Sequence, residues 1–290
     1  MTFPSKIRVI RAIQLLLCMI GGAGIGLAQT PATAIPAPTS VPTPVLVELF
    51  TSEGCSSCPP ADELLQQLDG MKTVTGQSII ALSEHVTYWN KLGWTDPFSS
   101  AAFSDRQNTY GENFRMDEIY TPEVVVNGAQ GVLGSDRAAI LAAVSFQALP
   151  LPVTIQVLSA QAVGSNLMVE YMVSGKVPAA GAEIYAALAD DKDTVLVERG
   201  ENAGRTLTHV SAVRSFRKGV MLKAGEQSII SLPLPVAPAL PSAGGQHLVL
   251  FAQVAGQGRV IGLLSQSLSV PFPTKRLKPV IAHGRTLGAR

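Results

Sequence analysis

Charge and sulfur are both scarce in this sequence. Only 15% of the 290 residues are charged, and 22 Lys plus Arg nearly cancel 21 Asp plus Glu, for a formal net charge of +1. That balance excludes the broad basic surface of a nucleic-acid binder or an acidic-membrane binder, which needs a clustered cationic excess. The one local cationic run, Lys275, Arg276, Lys278, Arg285 and Arg290, lies among prolines and glycines and reads as a solvated tail. The apolar segment around residues 15–20 is short and runs into glycines, so it does not read as a spanning helix. With three cysteines and four histidines, the chain has no second Cys-x-x-Cys and no His pair at ligand spacing, so an ordinary zinc site is excluded.

What is present begins at the N-terminus. Lys6, Arg8 and Arg11 precede the apolar segment, and the small residues Gly26 and Ala28 follow it. This is the pattern of a secretory signal with cleavage after Ala28, predicting an exported chain, periplasmic or extracellular, with no membrane anchor once cleaved. Cys18 leaves with the signal, because Leu17 stands where a lipidated cysteine would need a small neighbour. Two thiols then remain, Cys55 and Cys58. They pair with each other, with a partner molecule or with a metal.

The pattern divides the chain into a signal at 1–28, a Pro/Ala/Thr-rich linker at 29–44, an α/β domain at 45–148, a β domain at 149–270 and a basic tail at 271–290. In the α/β domain "VLVELF" reads as a strand buried on both faces, and "PPADELLQQL" as a helix whose first turn accepts two prolines. "SIIALSE" is a second strand, and a helix starts near Asp96 or Pro97. "EVVVNG" is a third strand, turned back by Asn127-Gly128 into a fourth, and Ser135 caps a last helix. The order β-α-β-α-β-β-α predicts a mixed sheet flanked by helices. After "LPLP", eight short β-rich segments predict an antiparallel sandwich as a separate unit.

Cys55 and Cys58 sit at the carboxyl end of the first strand and the start of the first helix, where ligand sites of such sheets lie. A helix N-terminus favours a thiolate, which is the reactive form in thiol–disulfide exchange. The expectation is a more exposed Cys55 as attacking thiol and a more buried Cys58 as resolving thiol. Two rivals stand beside this redox reading. Cys55, Cys58 and His85 together suit a soft cation such as Cu(I), which would make the chain a metal carrier. A structural disulfide in an interaction protein is the plainer reading, although so short a loop restrains the unfolded chain little.

Thr121-Pro122, ahead of the third strand, is read either as an ordinary trans turn or as a cis turn that brings the Thr121 backbone to the sulfur and orients a substrate. Trp89 and Trp94, with Tyr88 and Phe98, form either an apolar groove for an extended partner or core packing. His85 is a proton shuttle or a partner of a backbone carbonyl. Glu53 is expected to face solvent, since a carboxylate beside Cys55 would oppose the thiolate. The polar stretch from Glu201 to His209 either folds over the cysteines or only joins two strands.

Strand, Cys-x-x-Cys, helix and a Thr-Pro ahead of a hairpin and last helix resemble the thioredoxin fold. The blocks "VELFTSEGCSSCPPAD", "HVTYWNKLGWTDPFSS", "RQNTYG", "YTPEVVVNG", "GSDRAAI" and "RGENAGRTLTH" resemble, more closely, a bacterial exported family catalogued as domain of unknown function 1223. The resemblance spans Val45 to about Leu268. It implies a thioredoxin-like domain followed by a β domain, with Cys55 and Cys58 as the dithiol pair. The family pattern has an aspartate where Thr87 stands and an apolar residue where Glu84 stands, so His85 or Glu84 would replace any acid role of that aspartate.

The sequence therefore predicts an exported thiol–disulfide oxidoreductase. Cys55 and Cys58 are its catalytic pair, Thr121 and Pro122 orient the substrate, and His85, Trp89 and Trp94 support the site. It needs no cofactor and acts on a protein or small-molecule thiol or disulfide.

Overall fold

A computed structural model describes residues 43–223, 228–235 and 245–268. The expected signal, most of the linker and the basic tail lie outside these residues. Strand β1 (Thr43–Thr51) and strand β2 (Gln77–His85) pair in parallel from Thr43↔Gln77 to Thr51↔His85. Helix α1 (Pro59–Leu68) connects them. Pro59 and Pro60 occupy its first positions, where a missing N–H costs nothing, and Ala61, Leu64, Leu65 and Leu68 recur at helical spacing and are buried. This stripe packs on Val45, Val47 and Leu49 of β1 and on Ile140, Ala143 and Val144 of α3 (Arg137–Gln147). Burial of each such Leu contributes about 1.5–3 kcal/mol. The other face of β1 carries Leu46, Glu48 and Phe50 toward α2 (Ala101–Phe114).

Strand β3 (Glu123–Val126) lies antiparallel to β1, and β4 (Gln130–Leu133) antiparallel to β3. Asn127 and Gly128 both take positive φ, 48° and 62°, as the Asn-Gly turn predicted. The turn is buried and bonded on both sides. Asn127 Oδ1 accepts from Leu46 N at 2.8 Å, and Asn127 Nδ2 donates to the Gln147 carbonyl at 3.1 Å. A Cβ at residue 128 would lie 2.6 Å from the Gly258 carbonyl oxygen, so the position requires glycine.

Two helix starts differ from expectation. Helix α2 begins at Ala101 with Ser100 as its cap, its hydroxyl accepting from Ala102 N, while Asp96 holds the preceding turn by accepting from Phe98 N. Helix α3 is capped by Asp136, whose carboxylate accepts from Ala139 N, not by Ser135.

The largest correction concerns the β-rich half and the fold class. Among the described residues it supplies seven strands: β5 (Val153–Val163), β6 (Asn166–Gly175), β7 (Ala182–Leu196), β8 (Thr206–Leu222), β9 (Ser228–Pro235), β10 (Gln246–Val254) and β11 (Val260–Leu268). "AEIYAALAD" and the first three residues of "TVLVERG" are one strand, β7, since Asp190 and Lys192 continue the ladder to β8. Four of the seven do not form a separate sandwich. They extend the first sheet, whose order is β11-β10-β7-β8-β2-β1-β3-β4. The junction is a parallel pairing of β2 with β8 at Ser83↔Ala212. Without β8, β2 would be an edge strand with unpaired backbone groups, and β8 covers that edge. The expected thioredoxin-like domain plus separate sandwich is thus replaced by one eight-stranded mixed sheet that crosses residue 149. The separate sheet is β5-β6-β9, which packs its Ile155, Val169 and Tyr171 on Ile184, Leu188 and Leu250.

A buried cluster also ties the two halves together. Arg106 of α2 donates through Nε to Glu48 Oε1 at 2.7 Å and through Nη2 to Tyr110 Oη at 2.8 Å. Tyr110 donates to Glu48 Oε2 at 2.7 Å, and Gln253 of β10 donates to Tyr110 Oη at 2.9 Å. The guanidinium lies 5.0–5.3 Å from the ring centres of Tyr185, Phe216 and Phe251. Glu84 of β2 adjoins this group at 3.6 Å from Arg106 Nε. Burial, then the charge of Glu48, raises its carboxyl well above its ordinary value.

Candidate functional site

The turn between β1 and α1 carries the cysteines, joined as a Cys55–Cys58 disulfide. The backbone winds tightly: Cys55 N donates to the Ser52 carbonyl and Cys58 N to the Cys55 carbonyl. Cys58 is the residue capping α1, and both sulfurs are buried, whereas Ser56 and Ser57 between them are exposed. The expected difference in exposure between the two cysteines is absent in this disulfide form: both are 0% exposed.

The helix start acts on the sulfurs differently from expectation. Pro59 and Pro60 have no N–H, and the amides of Ala61 and Asp62 both donate to the Cys58 carbonyl. The first turn therefore offers its dipole but not these amides. The donors near Cys55 are hydroxyls instead. Thr121 Oγ1 donates to Cys55 Sγ at 3.3 Å, and Ser57 Oγ lies 3.4 Å from the same sulfur. Hydroxyl donors of this kind favour a thiolate.

Thr121-Pro122 is a cis peptide, and it places the Thr121 carbonyl oxygen 3.9 Å from Cys55 Sγ. Trp89, half-buried, donates its indole N–H to Thr121 Oγ1 at 2.8 Å. Of the expected residues, Cys55, Cys58, Thr121, Pro122 and Trp89 thus come together. Trp94 joins from the other side through Glu53, accepting nothing and donating to Glu53 Oε2 at 2.7 Å. Of these aromatic residues Phe98 is core, wedged between the rings of His85 and His209 at 5.1 and 5.4 Å, whereas Tyr88, Trp89 and Trp94 are part-buried.

Glu53 overturns its expected exposure, being fully buried. Its backbone N–H donates to Asp96 Oδ2 at 2.8 Å, and its carbonyl accepts from Asn202 Nδ2 at 2.8 Å. Its carboxylate takes the Trp94 indole and lies 3.2 Å from His209 Nε2. His209 in turn has Nδ1 3.8 Å from Asp62 Oδ1, beyond a hydrogen bond but well within Coulomb reach. Burial opposes charge on His209, yet the carboxylates of Asp62 and Glu53 beside it override that and push the imidazole up to about 10. The charge that would oppose a Cys55 thiolate is thereby countered by a buried imidazolium.

His85 is the last residue of β2. Its Nδ1 meets Asp96 Oδ2 at 2.7 Å, so its ring faces a carboxylate and not a backbone carbonyl. Burial opposes charge on Asp96, but His85 and the N–H groups of Glu53 and Phe98 hold its carboxyl below the ordinary value. Thr87, where the family pattern has an acid, shares a hydrogen bond with Ser104, and Glu84 belongs to the Arg106 cluster. Among the described residues no three His, Cys, Asp or Glu side chains are gathered to hold a metal ion.

The stretch from Glu201 to His209 does fold over the cysteines. Asn202 Nδ2 donates to the Cys55 carbonyl at 2.9 Å, and Ser56 N donates to Glu201 Oε2 at 3.2 Å. Glu53 was expected in solvent, and Asp62, Asp96, Asn202 and His209 had no individual role in the site from the sequence. The pairing of β8 with β2 brings His209 to Glu53, and no local spacing encodes it.

The fold and site define a mixed α/β protein with a large sheet and a buried Cys-x-x-Cys disulfide on a strand-to-helix turn, completed by the β7–β8 turn. The chain belongs to the family described as Protein of unknown function (DUF1223), which matches residues 46–253. A crystal structure of a protein from Agrobacterium tumefaciens is 28% identical, with a TM-score of 0.55 over 76% of this chain and 92% of that one. HBP35 of Porphyromonas gingivalis shares the fold at 14% identity and a TM-score of 0.55, over 83% of this chain and 80% of that one. No curated protein matches the chain.

Proposed function

We propose that the protein is a thiol–disulfide oxidoreductase acting through Cys55 and Cys58. The observation that carries this reading is the disulfide at the start of α1, with Thr121 Oγ1 and Ser57 Oγ at Cys55 Sγ. A partner thiolate attacks Cys55 Sγ, the Cys55–Cys58 bond breaks, and Cys58 departs as a thiolate that takes up a proton. The resulting mixed disulfide between partner and Cys55 is resolved by a second partner thiol, giving a partner disulfide and the reduced pair. Two electrons pass from partner to protein, and the reverse sequence oxidises a partner dithiol. The hydroxyls at Cys55 stabilise charge on its sulfur, which makes Cys55 a good leaving group when the mixed disulfide is resolved and a good attacking group in the reverse direction.

The test is exchange with glutathione. The native oxidised protein is expected to equilibrate with glutathione, and Cys58→Ser to stop at a stable Cys55–glutathione adduct seen by mass spectrometry. A native disulfide that stays closed to glutathione until the protein unfolds would overturn the reading and leave a structural disulfide.

A further inference from the structure

The β7–β8 turn reaches the dithiol through one buried amide. Asn202, 1% exposed, lies about 150 residues beyond the cysteines in the sequence and spans two carbonyls of the dithiol turn. Its Nδ2 donates to Glu53 O at 2.8 Å and to Cys55 O at 2.9 Å. Its Oδ1 accepts from Arg205 Nη1 at 3.0 Å. Two acceptors on one side and a donor on the other fix which way the amide faces. The Cys55 carbonyl also accepts Cys58 N–H at 3.2 Å, so Asn202 and Cys58 share one acceptor. Outside this clamp, Glu201 takes the exposed Ser56 N–H.

The consequence concerns ring closure. Closing a disulfide requires Cys58 Sγ to meet Cys55 Sγ, and the gain from holding two reactants in place is the entropy not lost at closure. A turn held at two of its carbonyls by a buried side chain is held in that geometry whether the S–S bond is present or not. We infer that Asn202 is a positioning residue for the dithiol: it keeps the turn closed and so sets the equilibrium between the disulfide and the open dithiol. This rests on the reading of Cys55 and Cys58 as an exchanging pair. It also makes the C-terminal half part of the site, since no side chain of residues 45–148 makes these two bonds.

The experiment brings the full-length protein to equilibrium with mixtures of reduced and oxidised glutathione. The protein disulfide and two glutathione thiols give the dithiol and glutathione disulfide. The reduced fraction is read by alkylation and mass spectrometry, with folding checked by circular dichroism. At a given mixture Asn202→Ala is expected to raise the ratio of dithiol to disulfide about fivefold, the effect of losing about one net hydrogen bond. Arg205→Ala, on an exposed side chain that only orients the amide, is expected to shift it about twofold in the same direction. An Asn202→Ala protein that folds and equilibrates as wild type overturns the inference. If that variant does not fold, Arg205→Ala decides, and an unchanged ratio overturns the inference. A wild-type disulfide that never equilibrates sinks the oxidoreductase reading itself, which is a separate outcome.

Discussion

Two buried charged clusters join the first half of this chain to the second, and they are built on opposite plans. Around Arg106, the guanidinium meets Glu48 directly, three aromatic rings wall it in, and burial raises the carboxyl of the extra acid Glu84 well above its ordinary value. Around His209, a protonated imidazole faces two acids, and the ring of His85 stands 4.7 Å away. The first cluster lies on the α2 face of β1 and touches no part of the dithiol turn. The second grips Glu53, two residues before Cys55. Polar burial therefore has two uses here: fastening α2 to β1 and β10, and holding the backbone that carries the cysteines.

The sharpest way to break this comparison is Arg106→Met. It leaves Glu48 buried without its counter-charge, and removing one partner of such a pair costs about 3–5 kcal/mol. Urea unfolding is expected to show a loss of that size, while glutathione exchange by the surviving folded protein stays as in wild type. Adding Glu48→Gln to Arg106→Met is expected to recover part of the loss, because the stranded charge is then gone. A loss below about 1 kcal/mol would mean the cluster fastens nothing.

His209 supplies the next effect, and it depends on pH. Its value in the folded protein, about 10, lies above the ordinary 6.5. A raised value means its stabilisation is complete below about pH 6.5 and is lost as pH rises through about 10. The groups facing it are Glu53 from the dithiol turn, Asp62 from α1, His85 from β2 and Asp193 from β7. Asp193 is pushed up to about 7 by burial and then by Asp190, so its own contribution fades over a lower range, from about pH 4 to 7. Thermal midpoints of wild type are expected to fall steadily between pH 7 and 10, and those of His209→Gln to stay flat there. Parallel curves for the two proteins would remove the charged imidazole from the account.

The same contrast explains what could be read in advance. Strand β1, the helix after the two prolines and the Asn127-Gly128 turn follow from short-range signals: apolar runs, Pro at a helix start, Asn-Gly. The sequence left Thr121-Pro122 open between a trans turn and a cis turn beside Cys55, because that contact spans 66 residues. The joining of the halves does not, because it hangs on a parallel pairing at Ser83↔Ala212 between segments that each look like an ordinary amphipathic strand. Glu53 was expected in solvent because a carboxylate beside a thiolate is unfavourable. That argument was sound but incomplete, since the compensating His209 lies 156 residues away. Asn202 and His209 both sit in the stretch from Glu201 to His209, where sequence gave a polar turn and a strand start without saying what they would face.

The smallest effect sharpens the comparison at the dithiol itself. The sequence has two tryptophans, and both bond to neighbours of the cysteines: Trp89 to Thr121 Oγ1, which in turn bonds Cys55 Sγ, and Trp94 to Glu53. A disulfide near an indole quenches its emission, so reduction of the native protein is expected to raise tryptophan fluorescence. Trp89 is tied to the sulfur through one hydroxyl, whereas Trp94 is tied through the Glu53 chain segment. Trp89→Phe is therefore expected to remove more of the rise than Trp94→Phe. Arg106→Met, acting on the other cluster, is expected to leave the rise intact. A rise that survives Trp89→Phe in full would show that the Thr121 bridge does not link this indole to the sulfur in solution.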